Sequence, residues 1–111
     1  MHAEGRGRLL ARVWRAASAW ERARGLLGRP RLAADEALLI ERCSSVHTFG
    51  MRYAIDLAFL DRDGKVLRVV ERVRPLRFAA RFGARTTLEM APGAAAALGL
   101  RPGDRLRWSE A

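Results

Sequence analysis

At 111 residues, with no uncharged run longer than Met90–Leu100, the chain has room for one domain and no membrane-spanning helix. Half of its residues are hydrophobic, which excludes disorder, and its single cysteine, Cys43, excludes an internal disulfide framework. The net charge of +9 comes from 20 arginines and one lysine, Lys65, against 12 acids, which raises the question of an anionic partner.

Residues 1–7 are polar and Gly-rich and read as a frayed end. That leaves one domain over 8–108 and a short tail at 109–111. Leu9, Ala11 and Val13 alternate with Leu10, Arg12 and Trp14, the pattern of a first strand. Arg12 and Arg15 interrupt Leu9–Ala17, so no signal-peptide core forms, and cytoplasmic residence is expected. Ser18-Ala-Trp-Glu21 is a capping box: the Ser18 hydroxyl accepts the Glu21 amide while Glu21 reaches back to the Ser18 amide. The helix it opens runs from about Ala19 to Leu27 and stops at Gly28 and Pro30.

Ala37–Cys43 reads as a second strand and Ile55–Asp61 as a third, with Ile55, Leu57 and Phe59 on one face. Arg62-Asp63-Gly64 is a hairpin turn, because glycine takes positive φ without a Cβ penalty. Val66–Val73 returns as a fourth strand and ends before Pro75. Leu76–Arg85 has no clean period and reads as an irregular connection. Thr86–Met90 is a fifth strand. Pro92 introduces a short helix over Ala94–Leu98, closed by Gly99. Arg101-Pro102-Gly103-Asp104 turns into a last strand with Leu106 and Trp108 facing in. The sum is an α+β, β-rich domain: a small curled antiparallel sheet or partly closed β-barrel with two short helices. Leu57, Phe59, Leu88, Leu106 and the Trp20 face of the first helix are expected to share one core.

The ordered set Arg24-Gly-Leu-Leu-Gly-Arg29, His47-Thr-Phe-Gly-Met-Arg52, Ile55-Asp56 with Gly64, Leu88-Glu89, Pro92-Gly93 and Gly103-Asp104 resembles the prokaryotic domain of unknown function 192 family. The resemblance spans about residues 8–108. It implies a small β-barrel-like fold with flanking helices and no established biochemical activity. The chain is similar to the branch carrying His-Thr where many relatives have Trp-Met. It departs in Ala54, which stands where a proline usually precedes the apolar residue and Asp, and so loses a φ constraint before the strand.

Cys43-Ser-Ser-Val-His-Thr-Phe-Gly-Met-Arg52 concentrates the reactive groups: a thiol, three hydroxyls, an imidazole, a thioether and a guanidinium, followed by Asp56. Three functional readings compete. Cys43 as nucleophile, His47 as base and Asp56 as orienter would make a thiol enzyme, but no helix N-terminus is at hand to favour the thiolate. Cys43, His47 and a carboxylate would make a metal site, but one cysteine and one internal histidine fall short of a zinc set, so no metal and no cofactor is expected. A binding surface lined by His47, Thr48, Met51, Arg52 and Asp56 would take a small molecule or a partner protein. Against all three stands a purely structural reading. In it Cys43 is a small buried hydrophobe, His47 and Thr48 satisfy backbone groups, and Asp56 accepts backbone amides or pairs with an arginine. Ser18, Glu21, Gly64, Gly103 and Asp104 are assigned to caps and turns, and Glu89 to a solvated strand face.

A binding or interaction module is therefore expected over an enzyme, monomeric by default. A basic nucleic-acid-binding domain is the further alternative. The arginines are dispersed, eight from Arg6 to Arg31 and seven from Arg62 to Arg85, so contact with nucleic acid is expected to be weak, non-specific and lost as salt rises. Phe78 and Phe82, within the basic stretch Arg72–Arg85, are the aromatics there that could stack on bases.

Overall fold

Alternation of apolar residues with a period of two makes strands, and strands dominate the computed structural model, which describes residues 1–5, 10, 12–16 and 31–108. In chain order these are β1 (His2–Ala3), β2 (Arg12–Ala16), β3 (Glu36–Glu41), β4 (Ser45–His47), β5 (Ile55–Leu60), β6 (Val66–Val73), β7 (Phe78–Ala80), β8 (Thr86–Met90) and β9 (Leu106–Arg107). One helical turn, α1 (Ala94–Ala97), lies between β8 and β9. The capping box at Ser18 and Glu21, its helix with Trp20, and the Arg24–Arg29 motif lie outside the described residues.

Five strands form one sheet in the order β2-β3-β8-β5-β6. β1 with β9, and β4 with β7, form two separate two-stranded ribbons. Among the described residues no sheet closes, so the expected barrel gives way to an open sheet with β2 and β6 at its edges. Nor is it wholly antiparallel: β2 runs parallel to β3, with Arg12 opposite Glu36 and Ala16 opposite Ile40. Periodicity identifies a strand but not the direction of its neighbour. The N-terminus is not frayed throughout, because His2 and Ala3 pair with Arg107 and Leu106 and Ala3 is buried.

The single core expected from sequence is two cores. Every residue of β5 and of β8 is buried, because both strands are central and covered on both faces. On one face Leu39, Ala58, Leu60, Leu88 and Leu106 pack with Ala94 and Ala95 of α1. On the other, Leu38, Ile40, Ile55, Leu57 and Phe59 pack with Val46 of β4 and Ala79 of β7. Leu57 and Phe59 therefore belong to a different core from Leu88 and Leu106. Glu89 departs from expectation in the same way. It stands opposite Leu38 and Leu57, 3% exposed, not on a solvated face.

The β5–β6 hairpin depends on Gly64. Its φ is +83°, and a Cβ there would collide with the Leu106 carbonyl oxygen. Asp61 completes the turn, its Oδ1 accepting the amides of Asp63 and Lys65, each at 2.9 Å. At the later turn, Asp104 Oδ2 accepts the Arg101 amide at 2.9 Å, with Gly103 at φ +96° between them.

Candidate functional site

The segment of chemical interest does not form a loop between strands, as its polar composition suggests. Its centre is β4, and β4 finds its partner in β7, inside the stretch read from sequence as irregular. Val46 stands opposite Ala79 and His47 opposite Phe78. Val46 and Ala79 are buried against the Leu57–Phe59 core, so the two-residue alternation turns His47 and Phe78 outward. Beyond the paired residues the ribbon continues in both directions. The Thr48 amide donates to the Arg77 carbonyl at 2.9 Å, and the Arg81 amide donates to that of Ser44 at 3.0 Å.

Thr48 holds this ribbon to the loop before β7. Its side chain is fully buried. Its hydroxyl donates to the Arg74 carbonyl at 2.6 Å and accepts the Arg77 amide at 2.8 Å. Its carbonyl accepts the amides of Met51 and Leu76, at 3.1 and 3.3 Å. The Thr48 hydroxyl is thus turned into the protein and does not line a ligand surface. Leu76, held by this contact, adopts φ +64°, a conformation that costs an L-residue roughly 1 kcal/mol or more. Thr48→Val keeps the shape and removes the hydroxyl, leaving the Arg77 amide and the Arg74 carbonyl unpaired. It is expected to cost about 1–3 kcal/mol in a urea titration, with faster exchange of the Arg77 amide as its local signature.

The other candidates go to different places. Cys43 is partly buried against the Leu57–Phe59 core, and its Sγ donates to the Ser45 carbonyl at 3.1 Å. Its own backbone is tied to β8, the carbonyl accepting the Thr87 hydroxyl at 2.8 Å. His47 is exposed and stacks on Phe49, the rings 5.4 Å apart and 25° from parallel. Asp56 shares the opposite face of the sheet, beside Ala58, Leu60 and α1. Its Oδ1 accepts the Arg72 amide at 2.8 Å and its Oδ2 the Ala95 amide at 2.9 Å. Cys43, His47 and Asp56 therefore do not converge as a nucleophile, base and orienter. Among the described residues no three His, Cys, Asp or Glu side chains are placed to hold one metal ion. Met51 packs at the core margin, and Arg52 is exposed.

What the ribbon does gather is exposed apolar surface. Phe49 is 52% exposed, Leu76 66%, Phe78 67% and Phe82, in the turn after β7, 94%. Arg42, Arg52, Arg74, Arg77, Arg81 and Arg85, from the same two chain segments, are exposed as well. Phe49 and Leu76 carried no signal as site residues in the sequence. The available signal was charge: residues 42–55 and 72–88 together hold seven arginines and no carboxylate. Among the described residues, shallow polar clefts lie elsewhere, one of about 490 Å³ lined by Glu4, Lys65, Asp104 and Arg105, another beside Arg62 and Trp108.

A family model, domain of unknown function 192, described as an uncharacterized ACR, matches residues 1–108. The fold is shared with a crystal structure of a protein of unknown function from Novosphingobium aromaticivorans, at 25% identity and TM-score 0.79, covering 86% of this chain and 74% of that one. It is shared equally with a candidate transcription regulator from Sinorhizobium meliloti, at 25% identity and TM-score 0.78, covering 86% of this chain and 79% of that one. No curated protein matches the chain.

Proposed function

The chain belongs to the domain of unknown function 192 family, and within that fold we propose that it acts as a binding module whose contact surface is the outer face of the β4–β7 ribbon. The observation that carries this reading is the exposure of Phe49, Leu76 and Phe78 together on one small ribbon whose inner face is buried. Scattered apolar residues on a surface need no explanation, but three gathered on one ribbon, Leu76 among them held outward at a conformational cost, do. Thr48 accepts the amide of a strained Leu76 and so helps keep that side chain in solvent. The polar groups of the 43–56 segment maintain the platform, and the rings and arginines meet the ligand. The description of one solved relative as a candidate transcription regulator agrees with a role that works through contact with other macromolecules.

A thiol enzyme is the weaker reading, since the ribbon presents His47 to solvent while Cys43 packs inward. Mapping backbone amide shifts on the isotope-labelled chain against a panel of fragments, acidic peptides and oligonucleotides tests the proposal. Perturbations are expected to cluster at 45–52 and 76–82. Perturbations confined to the cleft beside Glu4, Lys65 and Arg105 would contradict it.

A further inference from the structure

We infer that the ligand of this ribbon face is a single-stranded nucleic acid, an assignment that rests on the ribbon being a binding surface. The two segments that build the face carry six exposed arginines, Arg42, Arg52, Arg74, Arg77, Arg81 and Arg85, and no acid among them, so the face is strongly basic. Within 72–88 the order is Arg74-Pro-Leu-Arg77-Phe78-Ala-Ala-Arg81-Phe82-Gly-Ala-Arg85. Each phenylalanine follows an arginine directly, and the guanidinium groups recur every three or four residues. Guanidinium forks bind phosphate oxygens in pairs, and exposed rings take bases on their faces.

The arrangement separates this ligand from an acidic protein partner. Protein interfaces also enrich arginine and aromatic residues while depleting Lys, Asp and Glu, so the distinction rests on the order of the residues and not on their types. Here charge and ring alternate along the chain, as phosphate and base alternate along a strand. A duplex is disfavoured for another reason: its base faces are already stacked on one another and cannot meet Phe78, Phe82 or the His47–Phe49 pair. The rings project into solvent, Phe78 67% and Phe82 94% exposed, open to lie against an unstacked base. Arg77, Arg81 and their neighbours would then follow the backbone.

Fluorescence anisotropy with a labelled oligothymidine, an oligoadenosine and a duplex of matched length, all roughly a dozen nucleotides, tests this at several salt concentrations. The single strands are expected to bind at least ~10-fold more tightly than the duplex, and Phe78→Ala with Phe82→Ala to weaken single-strand binding by about 10-fold or more. Arg77→Gln with Arg81→Gln is expected to reduce the log–log salt slope by ~1.4, two phosphates at about 0.7 each. These four side chains are exposed, so the variants' unchanged circular dichroism verifies that the fold persists. Equal affinity for duplex and single strand, with the ring variants binding like wild type, would overturn the inference and leave a merely basic surface. If no oligonucleotide binds but an acidic peptide bearing leucine and phenylalanine shifts the 45–52 and 76–82 amides, the nucleic-acid assignment fails and the binding face stands. If neither ligand shifts those amides, both fail.

Discussion

Truncation of Phe59 to alanine is expected to destabilise the protein by about 3–5 kcal/mol. Phe59 lies in the middle of β5, fully buried, between Thr87 of β8 and Arg68 of β6 in register. Its ring packs in the core formed with Leu38, Ile40, Leu57, Val46 and Ala79. The loss combines the ring's transfer energy with a cavity between the sheet and the β4–β7 ribbon, two layers that cannot both move to fill it. Because this core carries the ribbon, the variant is also expected to blur the ribbon's amide resonances before global unfolding. A loss under ~1 kcal/mol by denaturant titration would show that the face is poorly packed.

Asp56→Ala is the second large effect, about 3 kcal/mol, from two donors left unpaired at roughly 1–3 kcal/mol each. Between Ile55 and Leu57 the pairing with β6 advances by three residues, from Val73 to Val70, while β5 advances by two. This bulge leaves Arg72, at φ +52°, without its ladder partner, and Asp56 Oδ1 takes that amide. Oδ2 takes the Ala95 amide at the start of α1. One fully buried side chain thus joins a sheet edge to the helix packed on it. Asp56→Asn keeps one acceptor oxygen and turns an NH₂ toward the other donor, so it is expected to recover only part of the loss. A variant with wild-type stability and altered ligand binding would instead make Asp56 a site residue.

Several elements were legible because local pattern and tertiary environment agree. The bounds of β6 and β8 follow from β-branched residues ended by Pro75 and Pro92, and the hairpin before β6 follows from Gly64. Other features were hidden for identifiable reasons. β4 and β7 are three residues each, too short for alternation to stand out, and they pair across about thirty residues of chain. Their existence depends on the Val46–Ala79 contact with the core, which no local rule predicts. The two-core arrangement was concealed by Asp56 and Glu89, whose charges made β5 and β8 look half-solvated although both strands are buried throughout. At the candidate site the polar composition pointed to the correct stretch of chain but to the wrong atoms. Thr48, Cys43 and Asp56 direct their polar groups to backbone partners. The surface left for a ligand is made by Phe49, Leu76 and Phe78, ordinary core-type residues whose exposure only the fold reveals.

The segment divides into buried polar groups that hold the platform and exposed rings that do not. Equilibrium urea unfolding of the double variant Phe49→Ser with Phe78→Ser measures that division directly. Unfolding free energy within about 0.5 kcal/mol of wild type is predicted, the range of surface substitutions that touch nothing structural. A loss of ~2 kcal/mol or more, the scale of a core truncation, would show that the rings serve the fold and contradict the ribbon as a binding surface.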